Sequence, residues 1–287
     1  MADLGRQDVI AILGSGAVGA LVAAQLARAG VATTLVTTER SAEAIGREGI
    51  TVASTAFGDH IVAVPAVTTL AAAPDVLVIA VKAPQLGAAI ARVAGEPGVV
   101  VPLLNGVDHM GALRARFADV VAGTVRVQAH RDGRTRVVHR APFLTIAVAE
   151  PGAPALEAAL VGAGIEVACG GAEAGVLWAK LCRLAGLALA TTAADAALGA
   201  VRADAEAVAL EAARVAAAEG AGVDGAQIVA ELRDLPDSAS SSLRADVTGG
   251  APDHELDAIG GAVLRAAARH GLDVPRTADL VARIAAR

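Results

Sequence analysis

The chain has very few aromatic residues and only two lysines. Its 287 residues include one tryptophan, three phenylalanines and no tyrosine, so it lacks the flat side chains on which nucleic-acid bases stack. A formal net charge of −6 and an isoelectric point near 5.5 also argue against binding to a phosphate backbone. Five arginines lie within Arg126 to Arg140, and we interpret them as a solvated strand-and-turn region. We expect no nucleic-acid partner.

Cysteines and long apolar runs are also scarce. Cys169 and Cys182 are too few for a disulfide framework, and no cluster of ligand-type residues accompanies them, so we expect no metal site. The start of the chain lacks the basic-then-apolar design of a signal peptide, and no uninterrupted apolar run reaches the roughly eighteen residues of a membrane span. The mostly apolar tract from Leu184 to Ala194 is short, and Asp195 closes it. We expect a soluble, cytoplasmic protein with no membrane partner.

Strand-like and helix-like segments alternate in the first part of the chain. Buried strands are predicted from the apolar runs at 8–13, 32–36, 76–81 and 99–104. Further strands are predicted at about 120–128, 134–139 and 144–148. Such alternation is typical of a parallel sheet covered by helices on both faces.

Helical spacing of alanine, leucine, glutamate and arginine dominates the rest of the chain. Helices are predicted over about 173–200, 203–219, 224–234, 254–270 and 276–286. We therefore expect an α/β N-terminal Rossmann domain over residues 1–170 plus an all-α C-terminal domain over residues 171–287. The apolar helices of the second domain either fill their own core or pair into a homodimer.

A glycine-rich loop lies between the first predicted strand and the helix that follows it. Gly14, Gly16 and Gly19 form the pattern G-x-G-x-x-G. The first glycine allows a tight turn, the second lets the backbone approach a pyrophosphate, and the third lets the helix pack on the strand. The pyrophosphate then lies at the helix N-terminus, which favours an anion. The predicted cofactor-binding loop comprises Gly14, Ser15, Gly16, Ala17, Val18 and Gly19.

The end of the second predicted strand bears on the choice between the two nicotinamide cofactors. An NAD site needs a carboxylate there for the ribose hydroxyls. This chain has Thr38 and Arg40, which offer a hydroxyl and a positive charge to a 2′-phosphate, while Glu39 between them opposes it. We predict NADPH/NADP as the cofactor, with NAD as the less favoured alternative.

Lys82 and Asn105 lie where two predicted parallel strands end, which is the edge at which open α/β sheets bind ligands. Lys82 supplies a point charge for a phosphate or carboxylate. Asn105, followed by Gly106, presents an amide to the substrate or the nicotinamide. A solvated lysine and a simple Asn-Gly turn are the alternatives, and the neighbouring glycine loop makes them the less favoured ones.

Lys180 is the candidate for proton chemistry. Arginine supplies 22 of the 24 basic residues, and a guanidinium does not release its proton in any useful pH range. On its predicted helix, Lys180 shares a face with Leu184 and Ala188. Burial of this apolar face desolvates the ammonium, lowers its pKa and lets it act as a general acid toward a carbonyl oxygen. A lysine that extends from an apolar helix to water is the alternative.

These elements together resemble the ketopantoate reductase (2-dehydropantoate 2-reductase) family over nearly the whole chain. The motifs that carry the resemblance are GSGAVG at 14–19, VKAPQ around Lys82, LNG around Asn105, GTV and HRDG within 123–133, LWAKL around Lys180, a Ser-Ser…Asp…Glu-Leu-Asp pattern ending at Asp257, and RHGLDVP ending at Pro275. The resemblance implies a Rossmann domain, a helical domain, and NADPH that delivers a hydride to the carbonyl carbon of a 2-keto acid.

The resemblance also implies roles for individual residues. Lys180 matches the family's catalytic lysine, which protonates the forming alkoxide, and Glu255 matches the carboxylate that holds the substrate. Asn105 and Lys82 match positions beside the cofactor and the substrate. Ser242 matches a serine near the substrate carboxylate, in an alignment that needs one inserted residue before Glu255.

Three departures from the family pattern concern the substrate. The family has asparagines four, eight and eighteen residues after the catalytic lysine, where this chain has Leu184, Ala188 and Leu198. Binding of a substrate whose hydroxyl is buried without such a partner is weaker by about 1–3 kcal/mol. Thr38 also stands where the best-known members have an arginine.

The function expected is therefore that of an NADP-dependent reductase of a 2-keto acid, as in the step from 2-dehydropantoate to pantoate in pantothenate biosynthesis. A related dehydrogenase for a more apolar small carbonyl substrate is the first alternative. A non-catalytic NADP-binding sensor is the second, because the loss of polar substrate groups suits a protein without turnover.

Overall fold

A computed structural model describes residues 9–287 of the chain. Residues 1–8, which include Asp8 of the first predicted strand and the start of the first predicted domain, lie outside the described residues. The described chain divides into two compact units, neither of which is continuous in sequence. The first unit comprises residues 9–81, 85–104 and 110–170, and the second comprises residues 82–84, 105–109 and 171–287.

Strands and helices alternate in the first unit. Its strands are β1 (Ile10–Leu13), β2 (Thr33–Val36), β3 (Ile50–Ser54), β4 (His60–Val62), β5 (Ala66–Val67), β6 (Val76–Ile79), β7 (Val99–Pro102), β8 (Gly123–Arg126), β9 (Ala129–Asp132), β10 (Arg136–His139), β11 (Thr145–Val148) and β12 (Glu166–Cys169). Its helices are α1 (Ala17–Arg28), α2 (Glu39–Glu48), α3 (Leu86–Ile90), α4 (His109–Arg114, whose first residue belongs to the second unit) and α5 (Pro154–Gly162).

The main sheet of the first unit is parallel throughout. Its strand order is β5-β2-β1-β6-β7, and every neighbouring pair runs in the same direction. All residues of β1 and β6 are buried, as expected for continuous apolar runs in a sheet covered on both faces. β1 leads through the glycine loop into α1, which buries residues 19–26 without interruption. The predicted Rossmann class is confirmed.

Two smaller sheets complete the first unit. One has the strand order β4-β3-β10-β9, and the other has the order β12-β11-β8. The predicted strand over about 120–128 proves to be β8 alone, with β9 starting at Ala129. Four further strands were not predicted from the sequence: β3, β4, β5 and β12. Of these, β4 and β5 have three and two residues, which is too short for alternation to register.

The second unit is helical. Its helices are α6 (Glu173–Ala194), α7 (Leu198–Ala218), α8 (Gly225–Arg233), α9 (Ser242–Thr248), α10 (Ala262–Arg269) and α11 (Pro275–Ala285). A π-helical turn over Asp257–Gly261 leads directly into α10. The buried faces of these helices form one apolar core. The predicted all-α class of this part is confirmed.

The prediction of one helix over 173–200 is wrong at its end. α6 stops at Ala194 because Asp195 adopts the left-handed conformation, with φ of 51°. Arg244 stabilises that conformation through two hydrogen bonds: its Nε donates to Asp195 Oδ1 over 2.8 Å, and its Nη2 donates to the Asp195 carbonyl over 3.0 Å. A contact across 49 residues of sequence leaves no signal in local periodicity.

One helix within residues 9–287, α6, is long and apolar enough to cross a membrane by length and composition. The core helix of a soluble protein passes the same test, and 56% of the most apolar window of α6 is buried inside the protein. Its buried residues belong to the apolar core of the second unit, together with those of α7. We therefore interpret α6 as a core helix.

The close approach of α6 and α7 gives a stability prediction. A Cβ atom at Gly186 of α6 would lie 2.5 Å from the backbone oxygen of Ala205 in α7, whereas a Cβ at Gly175 of the same helix meets nothing within 4 Å. We expect Gly186→Ala to destabilise the protein by about 1–3 kcal/mol, because backbone must move. The matched variant Gly175→Ala should stabilise it by up to about 1 kcal/mol through helix propensity. Urea unfolding measures both, and equal effects would contradict the packing argument.

Candidate active site

The glycine loop of the first unit is shaped by contacts that exclude side chains. Gly14 has φ of +109°, and a Cβ there would lie 2.8 Å from the backbone oxygen of Ala80. A Cβ at Gly19 would lie 2.0 Å from the backbone oxygen of Gly14. Gly16 is the N-cap of α1, where no side chain caps the helix and the first turn has no acidic residue. The residues predicted to hold the pyrophosphate therefore form a close-packed turn at a helix N-terminus, a geometry that suits an anion.

The residues predicted to select the cofactor follow β2. Thr37 is buried, and its hydroxyl is hydrogen-bonded to that of Ser15 in the glycine loop over 2.5 Å. Thr38 is the N-cap of α2, and its hydroxyl donates to Ser41 Oγ over 3.2 Å. Thr38, Glu39 and Arg40 are all exposed. Both the hydroxyl and the guanidinium predicted to meet a 2′-phosphate are therefore open to solvent at the start of α2.

Arg131 is a residue that the sequence analysis did not assign to a site. The interpretation of the five arginines as a solvated region holds for Arg126, Arg134, Arg136 and Arg140, which are exposed. It is wrong for Arg131, whose Nη1 donates to Ser15 Oγ over 3.2 Å. Burial, followed by the charge of Arg134, lowers the pKa of Arg131. Arg131 lies in the HRDG motif at 130–133, which the other four arginines do not share, but that motif indicates the family and not a contact with Ser15.

Asn105 and Glu255 meet in the second unit. Glu255 is buried, with 8% of its surface exposed, and its Oε2 accepts a hydrogen bond from Asn105 Nδ2 over 2.8 Å. Its Oε1 accepts a longer bond, of 3.3 Å, from the backbone N–H of Ala83. Hydrogen bonds to an ionised carboxylate are among the stronger ones in proteins. These contacts fix the orientation of the carboxylate.

The backbone beside Asn105 is closely packed against the segment that follows Glu255. Gly106 follows Asn105 with φ of +84°, and a Cβ there would lie 2.2 Å from the backbone oxygen of Ala258. Ala258 belongs to the π-helical turn that starts two residues after Glu255. Single π turns inside helices occur frequently at functional sites. The Asn-Gly pair is therefore more than a simple turn. Gly106 allows the π turn to approach its backbone, and Asn105 donates a hydrogen bond to the Glu255 carboxylate.

Lys82 lies among carboxylates of the second unit. Its Nζ is 3.0 Å from Asp246 Oδ2 and 3.8 Å from Asp253 Oδ1. About a third of each of these three side chains, or somewhat less, is exposed. Lys82 is thus neither a fully solvated lysine nor an unopposed point charge.

Lys180 is partly buried on α6, and its ammonium is electrostatically perturbed. Burial lowers the pKa of Lys180 to about 8, the positive charge of Arg183 acts in the same direction, and the negative charge of Glu255 opposes both. The predicted fall in this pKa is confirmed, and its cause is the predicted one. An ammonium with such a pKa can release and recover a proton near neutral pH.

The three positions that depart from the family pattern differ in their surroundings. Ala188 and Leu198 have no exposed surface and belong to the apolar core of the second unit. Leu184, one turn after Lys180, is only partly buried. Leu184 is therefore the one of the three whose side chain has surface available to a ligand.

Ser242 is the first residue of α9 and is exposed. Its neighbour Ser241 is the N-cap of that helix and accepts a hydrogen bond from the backbone N–H of Arg244 over 3.1 Å. The Ser241 hydroxyl is also 3.1 Å from Thr191 Oγ1 on α6. The structure therefore links Ser241, rather than Ser242, to the helix that carries Lys180.

His109 is a second residue to which the sequence analysis gave no role. It is buried, with 6% of its surface exposed, and neither ring nitrogen has a hydrogen-bond partner among residues 9–287. Burial lowers the pKa of His109 to about 4, and the positive charge of Lys180 acts in the same direction. Its place four residues after Asn105 was the only available signal, and it is a weak one.

The buried imidazole gives a pH prediction. Well above pH 6.5 His109 is neutral in both the folded and the unfolded chain. As the pH falls through 6.5 toward 4, the unfolded chain takes up its proton first. We expect this group to remove about 2 kcal/mol of stability between pH 7 and pH 5. Urea unfolding at the two pH values should show that His109→Gln loses this part of the pH dependence. His130→Gln, at an exposed histidine, should keep it.

Within residues 9–287, no group of three or more histidine, cysteine, aspartate or glutamate side chains is placed to hold a metal ion. Cys169 and Cys182 are both free thiols.

Two family models match the chain. The model described as ketopantoate reductase PanE/ApbA matches residues 10–151, and its C-terminal counterpart matches residues 174–287. A curated 2-dehydropantoate 2-reductase from Mycobacterium tuberculosis is 32% identical over 296 residues, which cover 96% of this chain and 97% of the relative.

Solved structures give the same result at the level of fold. A PanE/ApbA family ketopantoate reductase from Ralstonia eutropha JMP134 superimposes with a TM-score of 0.86 and 26% identity, over 96% of this chain and 97% of the other. D-Mandelate dehydrogenase, in a ternary structure with NADH and anilino(oxo)acetate, reaches the same TM-score of 0.86 over the same shares at 19% identity. The second likeness concerns the fold alone.

Proposed function

The chain belongs to the ketopantoate reductase family, and from that premise we propose that it reduces a 2-keto acid to the 2-hydroxy acid with NADPH. The observation that carries the proposal is a lysine of lowered pKa that feels the charge of a buried carboxylate, which an asparagine holds in place. A bound NADPH would supply the hydride for the carbonyl carbon. The chain's own residues would bind both molecules and supply the proton.

Lys180 is the proton donor in this proposal. As hydride reaches the carbonyl carbon, negative charge develops on the carbonyl oxygen, and the ammonium of Lys180 transfers its proton there. The pKa near 8 keeps most of this group protonated at neutral pH while making the proton easier to release. The negative charge of Glu255 partly offsets the effect of desolvation on the pKa of Lys180. Glu255 and Asn105 also offer polar atoms to the substrate. Ser242 is proposed as a contact of the substrate carboxylate.

The first unit is proposed to hold the cofactor, and its glycine loop fits a pyrophosphate because side chains at Gly14 and Gly19 would collide with backbone. Lys82 and Asn105 are proposed to contact the cofactor from the strand ends that precede them. NADPH rather than NADH is favoured by the exposed Thr38 and Arg40 at the start of α2. The domain assignment that follows is an NADP-binding Rossmann-like domain over residues 1–170 and a substrate and catalytic domain over residues 171–287.

The substrate is proposed to be ketopantoate or a close relative with a more apolar side chain. Leu184 supports the second of these, because a leucine beside the catalytic lysine gives a substrate hydroxyl no partner. For the first, the setting would be pantothenate biosynthesis in the cytoplasm. A homodimer through the helical domain stays a prediction, since the apolar faces of α6 and α7 fill the core of their own unit.

Replacement of Lys180 tests the mechanism. We expect Lys180→Ala to lower kcat by about 10²- to 10⁴-fold, the usual contribution of a general acid. In the wild type, kcat for reduction should fall about tenfold per pH unit above pH 8, because the reaction needs the protonated ammonium. Lys180→Arg keeps the charge but cannot release a proton, so it should be slow and should lack this descending limb. Steady-state oxidation of NADPH from pH 6 to 10 measures all three enzymes.

NADPH binding by each variant is the control, because a misfolded protein would also lose activity. Fluorescence titration should give similar Kd values for the wild type, Lys180→Ala and Lys180→Arg. Unchanged kcat in Lys180→Ala would remove this lysine from the mechanism.

A pair of substrates tests the role of Leu184. 2-Ketoisovalerate differs from ketopantoate by the absence of the hydroxymethyl group, and we expect their kcat/KM values to lie within about tenfold of each other. Leu184→Asn returns an amide and should raise the preference for ketopantoate by about 5- to 150-fold, as expected for one regained hydrogen bond. Leu210→Asn, at an exposed leucine of α7, should leave the ratio unchanged. A wild-type preference above about 10⁴ for ketopantoate would show that Leu184 does not weaken recognition of the hydroxyl.

A further inference from the structure

Arg131 of β9 is held beside the glycine loop by neutral groups. Its Nη1 donates to the hydroxyl of Ser15 over 3.2 Å, and its Nη2 donates to the backbone oxygen of Arg134. Both contacts lie within the first unit. The guanidinium is therefore fixed in direction, at the second residue of the glycine loop.

The charge of Arg131 has no acidic counterpart in the described part of the chain. Across residues 9–287 no carboxylate forms an ion pair with it, whereas Arg136, on the next strand, pairs with Asp132 over 2.9 Å. Burial lowers the pKa of Arg131, and the positive charge of Arg134 acts in the same direction. A partly desolvated cation without a counter-charge is costly in a protein. Such a group is well placed to gain from a bound anion.

The guanidinium borders an open depression of the surface, where an anion can reach it. Arg131, Gly133 and Arg134 line a surface cavity of about 430 Å³. The turn that carries Gly133 and Arg134 joins β9 to β10, so two arginines face one cavity from a single hairpin. Bidentate contact between a guanidinium and phosphate oxygens is a common means of phosphate recognition.

The position of Ser15 indicates which phosphate the cavity would take. The Ser15 hydroxyl is hydrogen-bonded to that of Thr37 over 2.5 Å, and Thr37 directly follows β2. In dinucleotide-binding folds the end of the second strand meets the 2′ position of the adenosine ribose. Arg131 thus reaches the ribose end of the loop, and it does so from a strand far along the chain from the residues that usually decide cofactor choice.

We propose that Arg131 binds the 2′-phosphate of NADPH and makes this enzyme selective for NADPH over NADH, with Arg134 as a second positive charge in the same cavity. The inference rests on the proposed function and adds a selectivity residue to it. It also accounts for an NADP site in which Glu39 stands between Thr38 and Arg40, because the compensating charge comes from β9.

Cofactor binding without turnover tests the proposal. Kd values of NADPH and NADH are measured by fluorescence titration, and that of 2′,5′-ADP by calorimetry, for the wild type and Arg131→Gln. We expect Arg131→Gln to raise the Kd of NADPH and of 2′,5′-ADP by about 10- to 150-fold, as for one lost charged hydrogen bond. The Kd of NADH should change less than threefold (roughly 0.6 kcal/mol). Arg136→Gln, a matched loss of an exposed arginine on the same hairpin, should change none of these values.

Arg131→Lys keeps the measurement informative if the glutamine variant does not fold. A lysine retains the charge without the two-pronged geometry, so it should keep part of the preference for NADPH. Equal losses for NADPH and NADH would overturn the proposal, since they would assign Arg131 to the pyrophosphate or to the shape of the loop. Unchanged binding of NADPH would overturn it as well. If the wild type bound neither dinucleotide, the proposed function itself would fail, and this inference with it.

Discussion

The buried carboxylate of Glu255 is the group on which the candidate active site depends. It accepts hydrogen bonds from residues 150 and 172 positions earlier in the chain, at Asn105 and Ala83. It also supplies the negative charge that offsets the desolvation of Lys180. An unpaired buried carboxylate is costly, so each of these partners stabilises the site. The glycine at 106 and the π turn at 257–261 serve this one group by letting two backbones approach.

Much of the fold was predictable because its signals are local. The apolar runs of β1 and β6 and the glycines at 14, 16 and 19 dictate a buried strand, a tight turn and a helix within 20 residues. Lys180 was predictable for a related reason: an ammonium on an apolar helix face is desolvated wherever that face is buried. Such predictions depend only on neighbouring residues and not on contacts with distant segments.

The features that escaped prediction depend on contacts between distant segments. Arg131 belongs to the HRDG motif, but nothing in that motif shows its contact with Ser15, which lies 116 residues earlier in the chain. The end of α6 depends on Arg244, and the link from α6 to α9 uses Ser241 instead of the serine next to it. Likewise, Leu184, Ala188 and Leu198 form one set in sequence, but burial separates the first from the other two.

The division of the chain has a consequence for how the helical unit comes to be folded. Residues 82–84 and 105–109 belong with the helices of residues 171–287, although they are synthesised long before them. Contacts across such separations form late, because a long loop must close before they are gained. During synthesis, 150 further residues must therefore be added before Asn105 can form its hydrogen bond with Glu255. A fragment of residues 171–287 would lack both donors to Glu255, so its buried carboxylate would lose the two hydrogen bonds described above.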